Sequence, residues 1–233
     1  MWNGRTVSVI FPAYNEEANI DRAVREFLAV GWVDEVLVVD NRSADRTAEL
    51  AALAGARVVS EPVPGYGSAL RRGLADARGQ WVVLCEPDGT FLARDLSKFF
   101  AYAEDFDMVC GTRTTRELIW QGANMGWFLR VGNVLVAKLL QVLHGGPSLS
   151  DCGCTYRLIV RGGLERIRSD LTVAGSHFLP EMVIAGLARG LRVVEIPVNY
   201  SSRVGISKIT GTWKGTLRTG SRMIALILAR RIR

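Results

Sequence analysis

Residues 6–28 of the chain read TVSVIFPAYNEEANIDRAVREFL, and this stretch predicts the fold class. Thr6–Phe11 is a short apolar run, which indicates a buried strand. After a polar loop, apolar residues recur at helical spacing along one face, at Ile20, Ala23, Val24, Phe27 and Leu28. A buried strand that is followed closely by an amphipathic helix is typical of a βαβ unit.

The same alternation of strand and helix patterns continues to about residue 111. Further strands are predicted at Glu35–Asp40, Arg57–Ser60, Trp81–Cys85 and Asp107–Gly111, and further helices at Ala44–Ala54, Ser68–Arg78 and Leu96–Ala103. Such alternation predicts a mostly parallel α/β sheet with helices on both faces. Because no low-complexity linker interrupts the chain, we predict a single domain over residues 1–233.

Beyond residue 111 the pattern changes. Two more strands are predicted at Asp151–Val160 and Leu191–Val198. Trp127–Leu143 is apolar apart from four polar residues within one arc, which indicates a helix with a broad apolar face. This helix could pack on the sheet as core or lie at a membrane interface. Residues 118–143 and 213–233 are therefore possible membrane-interface helices.

The charged residues are distributed unevenly. The chain has 29 Lys and Arg against 23 Asp and Glu, a net charge of +6. From Arg203 onward there are eight basic residues and no acidic ones, so the rest of the chain sums to −2. A basic tail on a near-neutral body argues against a nucleic-acid binder and predicts a localised anionic partner. No apolar run approaches the ~18 residues of a membrane span, so we expect a cytoplasmic protein with peripheral membrane contact.

Carboxylates cluster where the predicted strands end. The first strand leads into Pro12–Glu17, the second ends at Asp40, and Glu86 and Asp88 follow the strand Trp81–Cys85. Open α/β sheets bind ligands at the carboxyl ends of their strands. Two carboxylates two residues apart suit a hard divalent cation that holds a diphosphate, so we predict a Mg²⁺ or Mn²⁺ site at Glu86 and Asp88. A phosphate loop near the first strand is absent from the sequence, which disfavours P-loop ATPases and nucleotidyl transferases.

Seven segments carry motif-like sequences in a fixed order. They are Val7–Glu17, Val38–Thr47, Gly65–Arg71, Glu86–Asp88, Gly111–Arg113, Asp151–Arg157 and Arg203–Lys208. The first four resemble the opening strand, second-strand, glycine-rich and D-x-D metal motifs of family 2 glycosyltransferases of the GT-A fold. The last three are similar to motifs of the polyprenyl-phosphate sugar transferases within that family, such as dolichyl-phosphate mannose synthases. The resemblance covers about residues 6–210.

The resemblance implies a role for each matching residue. A nucleotide-sugar donor would be bound by Pro12, Ala13, Tyr14, Glu16, Asp40, Gly67 and Arg71. Glu86 and Asp88 would hold the metal, and Arg203 and Lys208 would lie over the donor diphosphate. Arg113 and Arg130 would bind the phosphate of a lipid acceptor.

Three positions depart from the family pattern. Glu86 stands in place of the usual first Asp of the metal motif, Asn41 in place of a common second Asp, and Arg42 where Gly is frequent. The first departure moves the carboxylate by one methylene. The second leaves the preferred base of the nucleotide open.

The expected reaction is metal-assisted, inverting transfer of a hexose from a nucleotide sugar to a membrane polyprenyl phosphate. A phosphate acceptor is already anionic, whereas a sugar-hydroxyl acceptor on a lipid-linked glycan would need a base. Asp151 is the first candidate for that base and Glu181 the second, although Asp151 could equally be a turn or cap residue. A non-catalytic nucleotide-sugar-binding subunit is a further alternative. The remaining basic residues of the tail, Lys214, Arg218, Arg222, Arg230, Arg231 and Arg233, would meet the anionic leaflet.

Overall fold

A computed structural model of the chain describes residues 1–123, 125–203 and 213–231. Within these ranges one sheet of seven strands has the order β3-β2-β1-β4-β6-β5-β7. The strands are β1 (Val7–Ala13), β2 (Glu35–Asp40), β3 (Arg57–Ser60), β4 (Trp81–Leu84), β5 (Met108–Thr112), β6 (Arg157–Val160) and β7 (Val193–Pro197). Among these described strands, only β6 runs antiparallel to its neighbours, β4 and β5. The predicted mostly parallel α/β sheet is confirmed.

Helices cover both faces of this sheet. They are α1 (Ile20–Ala29), α2 (Thr47–Leu53), α3 (Tyr66–Asp76), α4 (Leu96–Ala103), α5 (Trp127–His144), α6 (Arg161–Ile167), α7 (Phe178–Ala188) and α8 (Trp213–Arg231). The sequence pattern did not predict α6 or α7. Because α7 is buried along nearly its whole length and apolar on all sides, it has no 3.6-residue period to recognise.

The prediction for Asp151–Val160 was wrong in extent. Only Arg157–Val160 forms a strand, and residues 151–156 form a loop at the sheet edge. The physical reason is that the polar side chains of this loop bind to groups outside the sheet's backbone hydrogen-bond pattern. Asp151 pairs with Arg113, and Thr155 donates a hydrogen bond to Glu86. The helix predicted at Trp127–Leu143 is present as α5, whereas residues 118–126 of the possible membrane-interface region precede that helix.

The central strands β1 and β4 are mostly apolar because both faces of the sheet are buried there. Along β1, Val9 and Phe11 join the core on one face with Phe27 and Tyr156, while Ile10 joins the other core. This alternation is the two-residue period of a strand. Burial on both faces therefore explains the continuous apolar run that predicted β1.

The topology brings the loops of interest to one edge. β4 and β5 are both antiparallel to β6, so they run in the same direction as β1, β2 and β7. The carboxyl ends of all these strands therefore meet at the same edge. The loop before β6 lies there as well, because β6 runs the opposite way.

Helix α8 packs against α5 and α7 above this edge. Its C-terminal half is anchored by Ile227, which is fully buried, and by the Arg230 guanidinium, which pairs with the buried Glu181 carboxylate. The backbone carbonyl of Ile227 also lies 2.9 Å from Nε2 of His144 on α5. The Arg230 side chain therefore pairs with a buried carboxylate of the protein, and its predicted role at a lipid leaflet is corrected. In the part of the chain that the structure describes, no helix is both long and apolar enough to cross a bilayer.

Candidate active site

A cavity of about 790 Å³ lies at the carboxyl edge of the sheet. One side, which we call the loop wall, is polar and includes Tyr14, Glu16, Asn41, Arg42, Glu86 and Arg203. The other side, the helix wall, comes from α5, α8 and Met125, which lies two residues before α5. Its apolar members include Met125, Phe128, Leu129, Leu217, Met223 and Ile224. Arg113, which follows β5, also lines the cavity.

Asp88 is a buried carboxylate next to Pro87 and Arg203 of the loop wall; it has no exposed surface and is not among the described lining residues. Its Oδ1 accepts hydrogen bonds from the backbone N–H of Thr90 at 3.0 Å and from Thr90 Oγ1 at 2.6 Å. Its Oδ2 lies 3.1 Å from Nη2 of Arg203, an ion-pair distance, and makes no hydrogen bond within the described residues. Thr90 thus fixes one oxygen of Asp88, while the other is paired with Arg203 but accepts no hydrogen bond from the residues that the structure describes.

Glu86 borders the cavity beside Asp88. Its Oε1 accepts hydrogen bonds from Thr155 Oγ1 at 2.9 Å and from the Tyr66 hydroxyl at 3.2 Å. Burial and the neighbouring Asp88 charge raise the pKa of Glu86 to about 7, against the opposing effect of the Arg203 cation. Sequence reasoning missed Tyr66 and Thr155, although both lie inside motifs that it had identified.

The two carboxylates fit a hard divalent cation. Mg²⁺ is usually held by one or two carboxylates, with substrate phosphates and water completing its octahedron. Glu86 lines the cavity, and Oδ2 of the adjacent Asp88 makes no hydrogen bond within the described residues, so the donor set of this pair meets that requirement. Mn²⁺ accepts the same oxygen ligands.

The end of β1 and the loop after it border the cavity with Pro12, Ala13, Tyr14 and Glu16, whose role in nucleotide binding stays a prediction. Side chains bind this loop to the loop after β2. The backbone N–H of Asn15 donates to Ser43 Oγ at 2.9 Å, and Oδ1 of Asn15 accepts from the Ala44 N–H at 2.8 Å. The two loops therefore form one hydrogen-bonded unit.

Asn41 and Arg42 line the cavity, whereas Asp40 is not among the lining residues that the structure describes. Nδ2 of Asn41 donates to the carbonyls of Glu61 and Val63, both at 2.8 Å, and its Oδ1 accepts from the Gly65 N–H at 2.8 Å. An Asp could not donate to those carbonyls, which explains Asn at this position. Arg42 has φ +67°, in the left-handed region where glycine is favoured.

Gly67 and Arg71 serve the packing of α3 in the structure. The N–H of Gly67 donates to the carbonyl of Ala174 at 2.8 Å, and a Cβ at Gly67 would lie 2.3 Å from the carbonyl oxygen of Val173. Arg71 is exposed, and its Nη1 donates to the carbonyl of Thr172 at 3.3 Å. Neither residue is among the described lining of the cavity. Their roles in nucleotide binding stay predictions.

Arg113 is held by Asp151 in a two-pronged ion pair. Nε of Arg113 lies 2.8 Å from Oδ2 of Asp151, and Nη2 lies 3.0 Å from Oδ1. Burial would lower the pKa of Arg113, but the Asp151 carboxylate raises it overall. The Arg113 guanidinium also lies over the Tyr200 ring, 5.4 Å from its centroid. Both Asp151 oxygens accept hydrogen bonds from Arg113. The contacts of Asp151 therefore favour a role in orienting the Arg113 guanidinium over a role as a catalytic base.

The other predicted site residues lie apart from the cavity or outside the described ranges. Glu181 is buried and accepts hydrogen bonds from the N–H groups of Thr172 and Val173. Arg130 is not among the described lining residues, although Leu129 and Asn133 of the same helix are. Lys208 lies outside the residues that the structure describes. The structure therefore brings together Glu86, Asp88, Arg203 and Arg113, but not Glu181 or Arg130.

The mostly parallel sheet is GT-A-like, and carboxylates at its carboxyl edge fit a nucleotide-sugar-dependent transferase. Comparison with protein families agrees: residues 8–168 match the model of glycosyl transferase family 2. The chain belongs to this family.

Relatives and solved structures support the assignment. An uncharacterized glycosyltransferase of Mycobacterium tuberculosis is 36% identical over 92% of this chain and 94% of its own length. A dolichyl-phosphate hexose transferase of Haloferax volcanii is 29% identical over 97% of this chain and 96% of its own length. The crystal structure of M. tuberculosis glucosyl-3-phosphoglycerate synthase superposes with a TM-score of 0.73 at 25% identity, over 97% of this chain and 81% of that one.

Proposed function

We propose that the chain transfers a hexose from a nucleoside diphosphate sugar to a polyprenyl phosphate in a membrane. One observation carries this proposal: a single cavity is lined by Glu86 and Arg203, the neighbours of the buried Asp88, on one side and by the apolar helix wall on the other, with Arg113 also in its lining. The loop wall suits a charged donor, and the helix wall suits a hydrocarbon chain. The relative from H. volcanii that is called a dolichyl-phosphate hexose transferase supports the same acceptor class.

The site residues divide the chemistry between them. Glu86 and Asp88 would hold a divalent cation, which when bound neutralises charge on the leaving diphosphate. The loop after β1 and the residues Asn41 and Arg42 would bind the nucleotide. Arg203 would contact the diphosphate, together with Lys208 as predicted from the sequence. Arg113, oriented by Asp151, would position the acceptor phosphate.

The proposed transfer needs no catalytic base. An anionic oxygen of the acceptor phosphate forms a bond to the anomeric carbon while the bond from that carbon to the donor diphosphate oxygen breaks. The nucleoside diphosphate leaves with the electron pair, and no proton changes hands. A single displacement of this kind inverts the anomeric centre. The pairing of Asp151 with Arg113 is consistent with a reaction in which Asp151 does not accept a proton.

A radiolabel assay tests the acceptor class. Purified protein is given labelled nucleotide sugars, Mn²⁺, and vesicles with or without polyprenyl phosphate; parallel reactions contain a lipid-linked glycan or phosphoglyceric acid. We expect organic-extractable label with polyprenyl phosphate alone and its loss in Arg113→Met. Label that enters only the lipid-linked glycan, or only phosphoglyceric acid, would contradict the lipid-phosphate proposal. Nucleotide binding without turnover of any donor would support the non-catalytic alternative.

We further propose that α5 and α8 dock on an anionic bilayer, at the cytoplasmic face predicted from the sequence. Along α5 an exposed apolar stripe comprises Trp127 (73% exposed), Val131, Leu135 and Val142 (80%), and α8 exposes Leu217 and Leu228. The basic residues Lys214, Arg218, Arg222 and Arg231 are exposed on α8. Each can contribute up to ~1 kcal/mol near an anionic leaflet, while the stripe supplies apolar contact.

Vesicle sedimentation with point variants tests this docking, since removal of α8 would also remove the buried Ile227. The variants are Trp127→Ser with Leu135→Ser, and Lys214→Gln with Arg218→Gln. Leu53→Ser, at an exposed leucine of α2, is the control. We expect both double variants to bind anionic vesicles more weakly than the control does. Binding that is equal for all variants and indifferent to anionic lipid would contradict membrane docking.

A further inference from the structure

Arg203 places a positive charge among carboxylates of the loop wall. Its Nη2 lies 3.1 Å from Oδ2 of Asp88 and 3.8 Å from Oε1 of Glu16. Asp88 has no exposed surface, and the Arg203 side chain is only 24% exposed. The guanidinium therefore neutralises a buried carboxylate, which would be costly to leave unpaired.

Oδ2 of Asp88, the oxygen that pairs with Arg203, is also the oxygen that would bind a metal ion. Oδ1 is occupied by both hydrogen bonds from Thr90, which leaves Oδ2 as the available ligand atom. A divalent cation on Oδ2 would lie close to the guanidinium, and two cations at short range repel strongly in a partly buried site. Arg203 and a metal ion thus compete for Asp88.

A side-chain movement is enough to resolve this competition. The backbone just before Arg203 is tied down, because the N–H of Ser201 donates to the carbonyl of Thr90 at 2.8 Å and the N–H of Asn199 donates to Asp95 at 2.6 Å. The long Arg203 side chain can still rotate towards a new anion. A donor diphosphate bound beside Asp88 would offer such an anion, and in a geometry that a guanidinium binds well.

We propose that Arg203 is an exchangeable counter-ion that couples metal binding to donor binding, an inference that rests on the proposed function. Arg203 opposes the metal alone by occupying Asp88. When the diphosphate binds, the guanidinium moves to it and releases Oδ2. Metal and donor then bind cooperatively, and by thermodynamic linkage each strengthens the other by the same factor. Arg203 is in this sense a positioning residue for the assembly of the donor complex.

Mn²⁺ binding measured by electron paramagnetic resonance tests the coupling without turnover. The wild type, Arg203→Met, Arg203→Lys and the control Arg72→Met are titrated with Mn²⁺ in the absence and presence of uridine diphosphate. Arg72 is a suitable control because it pairs with Asp76 on the surface of α3. For Arg203→Met we expect Mn²⁺ alone to bind about tenfold tighter than in the wild type, within the usual range of coupling between ligands. Uridine diphosphate should then tighten Mn²⁺ binding by a smaller factor than in the wild type.

The remaining outcomes separate this inference from the proposed function. Arg203→Lys, which keeps the charge, should bind Mn²⁺ alone nearly as weakly as the wild type, and Arg72→Met should match the wild type throughout. If Arg203→Met binds Mn²⁺ alone no tighter than the wild type, the counter-ion inference is overturned while metal-dependent transfer stands. If the wild type and Asp88→Asn bind Mn²⁺ equally with uridine diphosphate present, the metal site itself is refuted, and both proposals fall. Thermal melts of each variant show that the compared proteins are folded.

Discussion

The loop wall and the helix wall border one cavity but are built by different means. The loop wall is held by directional bonds: Asn15 joins the loops after β1 and β2, and Asn41 binds the segment 61–65 through three hydrogen bonds. The helix wall is made of side chains such as Phe128 and Leu217, which are 42% and 51% exposed. A wall of fixed polar groups can select a charged donor in one orientation. A wall of exposed apolar side chains can accept a hydrocarbon chain without fixing its conformation.

The two walls also differ in how they are anchored. Most of the loop wall follows directly on the strands β1, β2 and β4, whereas Arg203 comes after β7. In the helix wall, α8 is anchored towards its C-terminus by Ile227 and by the pair of Arg230 with Glu181. Its cavity-lining residues, among them Leu217 and Ile224, come earlier in the helix. We therefore expect substitutions in the two walls to affect donor chemistry and acceptor binding separately.

The largest effect is expected at the loop wall, for Asp88→Asn. The change keeps the shape of the side chain but removes the charge that a metal ion needs, and we expect turnover of the donor to fall about 100- to 1000-fold, as for loss of one preorganised electrostatic group. Steady-state rates with saturating acceptor measure this. Near-wild-type turnover in Asp88→Asn at every Mn²⁺ concentration would mean that the carboxylate does not serve the donor.

The corresponding test of the helix wall is Leu217→Ser. Burying a leucine side chain against a lipid contributes about 1.5–3 kcal/mol, so we expect KM for the polyprenyl phosphate to rise roughly tenfold or more. The affinity for the nucleotide should stay unchanged, because the loop wall is untouched. Leu53→Ser is the matched control, since Leu53 is an exposed leucine on α2. Equal KM values for the two variants would remove the distinction between the walls.

More of the loop wall than of the helix wall could be predicted from the sequence. β1, β2 and β4 are buried on both faces and read as continuous apolar runs, and Glu86 and Asp88 follow β4 at the edge where α/β sheets bind ligands. Local pattern is sufficient for such features. The helix α5 was predicted in nearly its full extent for the same reason, since its apolar face is periodic.

Partners that are distant in the sequence could not be predicted. Asp151 binds Arg113 38 residues away, and Arg230 reaches Glu181 49 residues away. The local sequence around Asp151 does not indicate whether this residue orients an arginine or serves as a base. Gly67 likewise belongs to a glycine-rich motif, but the close approach of Val173 that requires it is a tertiary contact. Side-chain roles of this kind depend on the assembled fold.

A smaller effect, on stability, is expected for Asn41→Asp in the loop wall. A carboxylate accepts but cannot donate, so the carbonyls of Glu61 and Val63 would lose their partner and face a negative charge. We expect the free energy of unfolding to fall by about 1–2 kcal/mol. For a chain of this size each kcal/mol lowers Tm by roughly 2–4 °C. Asn3→Asp, at an exposed residue, should leave Tm unchanged, and an equal Tm for both variants would show that these bonds do not hold the loop.

The smallest effect on stability is expected for Arg42→Gly. This variant distinguishes a contribution of Arg42 to the stability of the loop wall from a contribution to nucleotide binding. At φ +67° an L residue is strained by roughly 1–2 kcal/mol, while glycine loses about 0.5–1 kcal/mol of extra backbone entropy on folding. The relief of strain equals or exceeds the entropy loss, so Tm should stay level or rise by a few degrees. Nucleotide affinity should nevertheless fall, because Arg42 lines the cavity and its replacement by glycine removes a positive charge from the cavity wall. Calorimetry with uridine diphosphate and a thermal melt measure the two quantities on the same sample. Unchanged affinity would show that Arg42 has no part in binding the nucleotide, and a marked loss of Tm would show that its side chain supports the loop wall instead.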